Sequence, residues 1–493
     1  MLFTEFRFLI FFLIVFSICW GLPKNSQRKV WLLLCSYIFY GAWDWRFMSL
    51  IFASTVIDYI AGLMLGQDLP KRQRKAWLLV SLVANLGFLG FFKYYNFFID
   101  SAASFLGFLG LSASFKTLDV ILPVGISFYT FQTLSYSLDI YWGKLKANKN
   151  FLDFALYVSF FPQLVAGPIV RASDFLVQLK ESRRFDRVDV RGYLMLFLVG
   201  FIKKACISDN LAPTVDRYFN NPDAYTAVSS WLGVLSYTTQ IYCDFSGYSD
   251  MAIACAGLLG YQLCLNFNFP YFASNISQFW RRWNISLSNW LRDYLYIPLG
   301  GNRQNAILTY RNLMATMLLG GLWHGAAWNF VLWGGLHGFA LAVHRLWSQG
   351  VSQWAISYFH RTGDKPKKHS TLAGDRELSP RFWNIGKLVG CLLTFYWVCI
   401  TWIFFRATDL ASALAVVRSF VFFDSPGTQD LGVGALWIFI PLAIVHWVAY
   451  RGGLSHWWRR IPAWSFAGIY GVVVALVVPF VPLGYTPFIY FQF

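Results

Sequence analysis

The sequence predicts an all-helical protein that crosses a membrane many times, and three observations lead there. Hydrophobic residues fill 57% and charged residues only 13% of the 493 positions, against about 25% charged in an average soluble domain. Apolar runs long enough for a hydrocarbon layer of about 30 Å recur along the whole chain. The polar residues that interrupt these runs are concentrated in a few stretches, where lipid should exclude them. The clearest runs cover 6–22, 29–43, 49–65, 76–98, 119–142, 151–168, 227–261, 326–343, 384–405, 433–450 and 463–482. They predict about ten or more transmembrane helices. Residues 101–113, 193–207 and 306–322 are shorter or interrupted, and read as oblique, re-entrant or protein-buried helices. The first run follows MLFTEFRF, which has neither a basic leader nor a small-residue cleavage site after it, so this run is expected to stay as the first helix. Residues 1–493 read as a single polytopic domain, with the polar insertion 361–381 as a surface loop.

The charge pattern assigns sides. A net charge of +17 raises nucleic acid as a partner, but no nucleic-acid module is present and the basic residues sit in short loops between apolar runs. The positive-inside rule explains them better. Lys24, Arg28 and Lys29, then Lys71, Arg72, Arg74 and Lys75, then Lys144, Lys146 and Lys149 mark three mutually consistent cytoplasmic loops, with the N-terminus outside. The segment from Lys180 to Arg191 and the insertion 361–381 are expected on the same side. The eight cysteines fall mostly within apolar runs, with no C-x-x-C pair and no Cys/His spacing suited to a metal. They read as packing residues, and no internal repeat of the transporter kind is visible.

Four polar constellations break the apolar pattern. The first, LPVGISFYTFQTLSYSLDIYW at 122–142, spreads Ser127, Thr130, Gln132, Thr133, Ser135, Ser137 and Asp139 through an aromatic helix, as interhelical hydrogen bonding requires. In the second, FFPQLVAGPIVR, Pro162, Gly167 and Pro168 break a helix before Arg171, either in a protein-lined cavity or at the interface. The third, IYCDFSGYSDMAIACAGLLGY, holds Asp244 and Asp250 off a common helical face. Both need partners: ion binding or proton relay is one reading, anchoring by Arg, Lys or backbone amides the other.

The fourth constellation runs from Phe279 to Gly338. In FWRRWNISLSNWLRDYLYIPLGG, Arg281, Arg282, Asn284, Ser286, Ser288, Arg292 and Asp293 alternate with Trp and Tyr, as in an interfacial amphipathic helix. Ser274 or Asn275 can cap its start, and Pro298 with Gly300 and Gly301 ends it. GLWHGAAWNFVLWGGLHG then places His324 in a segment otherwise nearly devoid of strong polarity. A lone histidine of this kind serves either as a hydrogen-bonded core residue or as a catalyst. His337 shares a helical face with it if the helix is continuous.

The texts YCDFSGYSDMAIACAGLLGY, ISQFWRRWNISLSNWLRDYLYIPLGGNR and GLWHGAAWNFVLWGGLHG, in that order, resemble the membrane-bound O-acyltransferase (MBOAT) superfamily, and within it the bacterial branch that acetylates exopolysaccharides such as alginate. KVWLLLCSYIFYGAWDWRF and LPVGISFYTFQTLSYSLD extend the resemblance over most of the chain. It implies helices arranged around a catalytic tunnel, an inner-membrane location, and acetyl transfer from a cytoplasmic donor, expected to be acetyl-CoA, for O-acetylation of an exported or cell-surface polysaccharide. No permanently bound cofactor is implied. The immediate acceptor would be the glycan or a periplasmic SGNH-type acetyltransferase, with membrane lipid as surroundings. His324 of WHG would be the catalytic base and Asn284 the second polar position. Histidine is common there in the nearest branch, and because an amide cannot act as a base, Asn284 would orient substrate or stabilise developing charge. His337 is a candidate supporting residue. Arg281 and Arg282 are candidate contacts for donor phosphates, with lipid headgroups as the competing target. Alternatives within the superfamily are D-alanyl transfer to teichoic acid and peptidoglycan O-acetylation. From other classes come a transporter or flippase built on Asp244, Asp250 and the histidines, and a non-enzymatic scaffold.

Overall fold

The computed structural model describes all residues except 112–114, 166, 304, 363–384, 453–456, 483, 485–487 and 490–493. Nearly all of the insertion 361–381 therefore lies outside the described residues. Among those described the fold is helical, the one extended pairing being an isolated bridge between Tyr225 and Gln429. The helices are α1 (Phe6–Gly21), α2 (Asn25–Gly41), α3 (Met48–Leu65), α4 (Lys71–Leu89), α5 (Tyr95–Phe108), α6 (Ile126–Tyr141), α7 (Phe151–Ser159), α8 (Phe161–Leu164), α9 (Ala172–Lys180), α10 (Val190–Phe201) and α11 (Asp209–Asn220). They continue with α12 (Ala227–Leu258), α13 (Ile276–Trp280), α14 (Ile285–Leu291), α15 (Ala306–His324), α16 (Trp328–Thr362), α17 (Ile385–Arg406), α18 (Leu410–Phe422), α19 (Phe439–Tyr450), α20 (Trp457–Arg460) and α21 (Ala463–Val477).

Five helical stretches among the described residues are long and apolar enough to cross a membrane: Trp45–Leu65, Lys71–Phe108, Ile385–Arg406, Val433–Tyr450 and Ala463–Phe480. Other long helices carry the polar constellations; α12, for example, has 32 residues and includes both Asp244 and Asp250. Contacts divide the chain into two compact units, one of Met1–Ala212, Thr239–Asn266 and Ile461–Phe493, the other of Pro213–Thr238 and Phe267–Arg460.

In the first unit Arg28 and Lys29 stand in the first turns of α2 and Arg74 in the first turn of α4, not in loops, and these residues are tied down by carbonyls and a carboxylate. Arg28 donates to the carbonyls of Leu22 and Arg183, both at 2.8 Å, and Arg74 donates to that of Tyr141 at 3.0 Å. Lys29 pairs with Asp153 at 2.7 Å, and the Tyr59 hydroxyl donates to the Lys149 carbonyl at 2.8 Å. The polar residues of α6 are spent between helices: Ser137 donates to Asp58 at 3.2 Å and Thr133 to the Asn85 side-chain oxygen at 3.1 Å. Asp58, fully buried on α3, also accepts from Asn85 at 2.7 Å and from Ser81. The break after Ser159 leaves Phe160 to Val165 buried, along with Gly167 and Pro168, so Pro162 and its neighbours interrupt the helix inside protein.

The interruption expected within 193–207 is a π-helical turn, Ile202–Ser208, between α10 and α11. Its extra residue turns two consecutive lysines toward α12. Lys203 pairs with Asp250 at 2.7 Å, and Lys204 with Asp244 at 2.6 Å and Asp209 at 2.7 Å. The backbones draw close because Gly200 and Gly247 face each other: a Cβ on either would lie 2.6 Å from the other's carbonyl oxygen. The backbone N–H of Ile489 donates to Asp244 at 2.7 Å, and the buried Phe488 packs 5.0 Å from Tyr248, itself stacked at 4.4 Å on Phe3. Asp244 and Asp250 are thus anchored by lysines and a backbone amide.

Candidate active site

The candidate residues from the fourth constellation lie in the second unit, on a hairpin and an irregular segment. Helices α15 and α16 form the hairpin, and glycine sets its spacing. A Cβ on Gly321 would strike the Phe330 carbonyl oxygen, and one on Gly334 would strike that of Met317. His324 is the last residue of α15, and Gly325 leaves the helix in extended backbone at φ −155° and ψ 149°. His324 and His337 therefore do not share one continuous helix: three residues of irregular backbone separate α15 from α16. Asn329 holds the start of α16 to the end of α17 by donating to the Ala407 carbonyl at 2.9 Å.

His324 is 3% exposed and edge-on to three aromatic rings, Trp323 at 5.0 Å, Trp333 at 4.9 Å and Phe405 at 5.3 Å. Trp333 also lies 4.7 Å from His337, which stacks on Phe279 at 5.9 Å and meets Trp280 edge-on at 5.1 Å. One indole thus stands between the two imidazoles. His337 is fully buried, and neither ring nitrogen has a hydrogen-bond partner among the described residues. Leaving a buried polar atom unpaired costs about 1–3 kcal/mol, so such atoms call for a functional explanation.

The segment around Asn284 departs from the interfacial helix its composition suggests. Asn275 caps α13 by accepting from the Gln278 N–H at 2.8 Å, but the helix stops at Trp280 and α14 begins only at Ile285. Between them Asn284 sits in the left-handed region, φ 42° and ψ 56°, rare for a residue with a side chain and tolerated best by asparagine and aspartate after glycine. The turn drives side chains inward. Trp283 and Asn284 are fully buried and Arg282 nearly so, so this is not a helix lying on the membrane surface. Neither the oxygen nor the nitrogen of the Asn284 amide has a partner among the described residues. Its neighbour Trp283 packs 4.9 Å from Trp402, and Trp402 packs 5.8 Å from Trp333 and 5.3 Å from Phe405, the rings against His324. His324 and His337 accordingly share one aromatic cluster, and Trp283, the residue before Asn284, belongs to it.

Arg281 is exposed, whereas the guanidinium of Arg282 lies over the Tyr450 ring at 5.6 Å. Trp402 and Phe405 are members of the site that the sequence reading did not single out. They come from an apolar run with no polar marker, and their proximity follows from packing between helices distant in sequence.

These features define a multi-pass membrane protein with a buried, aromatic-walled histidine centre. The family model for MBOAT, the membrane-bound O-acyltransferase family, matches residues 147–365. The chain is 41% identical over 436 residues to a probable alginate O-acetylase AlgI of Pseudomonas aeruginosa, covering 87% of this chain and 77% of that protein. It is 39% identical over 419 residues to a peptidoglycan O-acetyltransferase of Helicobacter pylori, covering 80% and 73%. It is also 27% identical over 296 residues to a teichoic acid D-alanyltransferase of Streptococcus thermophilus, covering 57% and 68%. The chain belongs to the membrane-bound O-acyltransferase family, and it is an acyltransferase.

Proposed function

We propose that this protein is an inner-membrane O-acetyltransferase that takes an acetyl group from a cytoplasmic thioester donor, acetyl-CoA, and passes it across the membrane for O-acetylation of an exported or cell-surface polysaccharide such as alginate. The observation that carries the reading is the burial of His324 among aromatic rings, with Asn284 fully buried beside Trp283 of the same cluster and its amide unpaired among the described residues. Its relatives named as alginate O-acetylases point to the polymer class. The reading includes about ten or more membrane crossings, with polar helices such as α12, α15 and α16 adding to the five apolar ones.

The chemistry follows from these groups. The acceptor hydroxyl gives its proton to the His324 imidazole as its oxygen attacks the thioester carbonyl, and the Asn284 N–H donates to the oxyanion that forms. The tetrahedral intermediate collapses, the carbon–sulfur bond breaks, and the imidazolium returns the proton to the departing thiolate. Trp323, Trp333 and Phe405 keep water from the thioester. His337 is a supporting polar contact in the same cluster. Arg281 and Arg282 serve the donor's phosphates, and the immediate acceptor is the glycan or a periplasmic SGNH-type acetyltransferase.

The test is polymer-linked acetate in producing cells carrying wild type or His324→Ala, with membrane abundance matched by immunoblot. Acetate should fall by about 10²-fold or more, the range for loss of a general base; unchanged acetate would remove His324 from the mechanism. A second reading, peptidoglycan as acceptor, is favoured by the 39% identical Helicobacter pylori relative. Acetate found on purified peptidoglycan and not on exported polymer would select it. Acyl transfer without an imposed ion gradient separates both from a transporter.

A further inference from the structure

Trp280, Trp333 and Trp402 belong to the aromatic cluster around His324 and His337. Each is buried and carries an indole N–H with no hydrogen-bond partner among the described residues. An indole nitrogen can only donate, and a buried donor left unpaired costs about 1–3 kcal/mol. Tryptophan in a core usually finds a partner for that group. A wall that only excludes water needs no N–H at all: Phe279 and Phe405 line the same cluster without one.

The unpaired nitrogens are clustered. Trp280 lies 5.7 Å from Trp333 and 5.1 Å from His337, and Trp333 lies 4.7 Å from His337, so the three rings are in mutual contact. Between them they hold four nitrogens, none of which has a partner among the described residues. A neutral imidazole donates from one nitrogen and accepts at the other, and a charged one donates from both, so donors outnumber acceptors in either state. Such a site suits an oxygen that bears lone pairs and no hydrogen, a carbonyl or an oxyanion rather than a hydroxyl. Trp333 is firmly held. It stands one turn before His337 on α16, on the same face. Trp402 stacks on it at 5.8 Å and 20°, and Phe405 meets it edge-on at 5.3 Å. Its ring also lies 4.9 Å from that of His324, which brings an oxygen bound at this indole next to the base.

We propose that the Trp333 indole N–H, with Trp280 and His337 beside it, binds the carbonyl oxygen of the acetyl thioester and holds the charge that develops there. Acyl transfer at His324, as set out above, is the premise, and Trp333 adds a second donor to the one Asn284 supplies. As the acceptor oxygen adds to the carbonyl carbon, the π electrons of the C=O bond move onto its oxygen. They return when the carbon–sulfur bond breaks and the thiolate leaves. Throughout, the indole keeps its proton: it is too weak an acid to give it up, so it stabilises the oxyanion without competing with the proton that His324 moves. A donor fixed by packing before the substrate arrives needs no reorganisation during the reaction.

The experiment removes the N–H and keeps the ring. Benzothienylalanine, with sulfur in place of the indole N–H, is put at position 333 of the full chain by nonsense suppression. Polymer-linked acetate in producing cells, at matched membrane abundance, is expected to fall about 10²-fold, the range for loss of one oxyanion donor. The melting temperature should hold or rise, because a buried unpaired donor is gone. In nanodiscs, His324→Ala protein keeps its bound thioester, and isotope-edited infrared spectroscopy reads the carbonyl of acetyl-labelled acetyl-CoA. A hydrogen bond lowers the stretching frequency of that carbonyl, and the replacement at 333 should move the band back up. Unchanged acetylation or an unmoved band overturns the inference and leaves acyl transfer at His324 intact, since the indole then only packs or holds water. Absence of any bound carbonyl band overturns acetyl-CoA as the donor, and with it the occupant assigned here. If position 333 does not tolerate the replacement, the same amino acid at 280 and His337→Phe are read by the same band.

Discussion

Asn284 combines a strained backbone with a side chain that has no partner among the described residues, and the two can be separated by substitution. Glycine adopts the left-handed conformation at no steric cost, so Asn284→Gly should melt within a few degrees of wild type in detergent. Acetylation should nevertheless fall by about 10²–10³, the cost of removing one donor to a developing oxyanion. Full activity in Asn284→Gly would show that the residue serves only the turn. His337 permits the opposite separation. Replacing it with phenylalanine removes two buried nitrogens that have no partner among the described residues, so a packing role predicts a protein at least as stable and equally active. We expect the stability to be held and acetylation to drop about tenfold, the worth of a hydrogen bond in a buried site; equal activity would assign His337 to packing alone.

At the scale of elements, the α15–α16 hairpin depends on glycine where two backbones touch. Gly334→Val should cost about 1–3 kcal/mol through overpacking, read as a lower melting temperature with a parallel loss of acetylation; an unshifted melt would mean that the helices can separate freely. The π turn after α10 makes a sharper demand. Lys204→Met leaves Asp209 and Asp244 without their lysine, and stranding a buried carboxylate costs about 3–5 kcal/mol. Adding Asp244→Asn should recover part of that loss in thermal melts. The sequence exposed this arrangement unevenly. Asp244 and Asp250 stood out because carboxylates are expensive in an apolar run, and their need for partners was plain. The partners were not, because the π turn that aims Lys203 and Lys204 adds one residue to a helix without leaving a compositional trace. Asp58 was less visible still. A lone carboxylate in an apolar run does not name Ser81, Asn85 and Ser137, which reach it from two other helices.

For the whole molecule, the basic residues at the helix starts and loops predict sidedness. Cysteines introduced at Gln73, between Arg72 and Arg74, and at Lys146 should resist membrane-impermeant maleimide in intact cells and react after permeabilisation; labelling in intact cells would invert the orientation. The helical class and the histidine site were legible because lipid imposes strict rules on composition, and because WHG sits in nearly unbroken apolar text. The aromatic walls were not legible. Trp402 and Phe405 are ordinary residues of an apolar helix until α17 packs against the hairpin, and only the fold distinguishes them from residues that face lipid.

The amide of Ile489 that reaches Asp244 sets a schedule for biosynthesis. The two are separated by 245 positions, and at about 5–20 residues per second the ribosome needs about 10–50 s to pass from one to the other. Lys204 leaves the ribosome before Asp244, so a countercharge is at hand from the moment the carboxylate enters the membrane. The amide arrives last. A nascent chain stalled before Ile489 should therefore already hold its lysine pairs yet lack the final tether, a species that insertion chaperones and membrane proteases would meet in every round of synthesis.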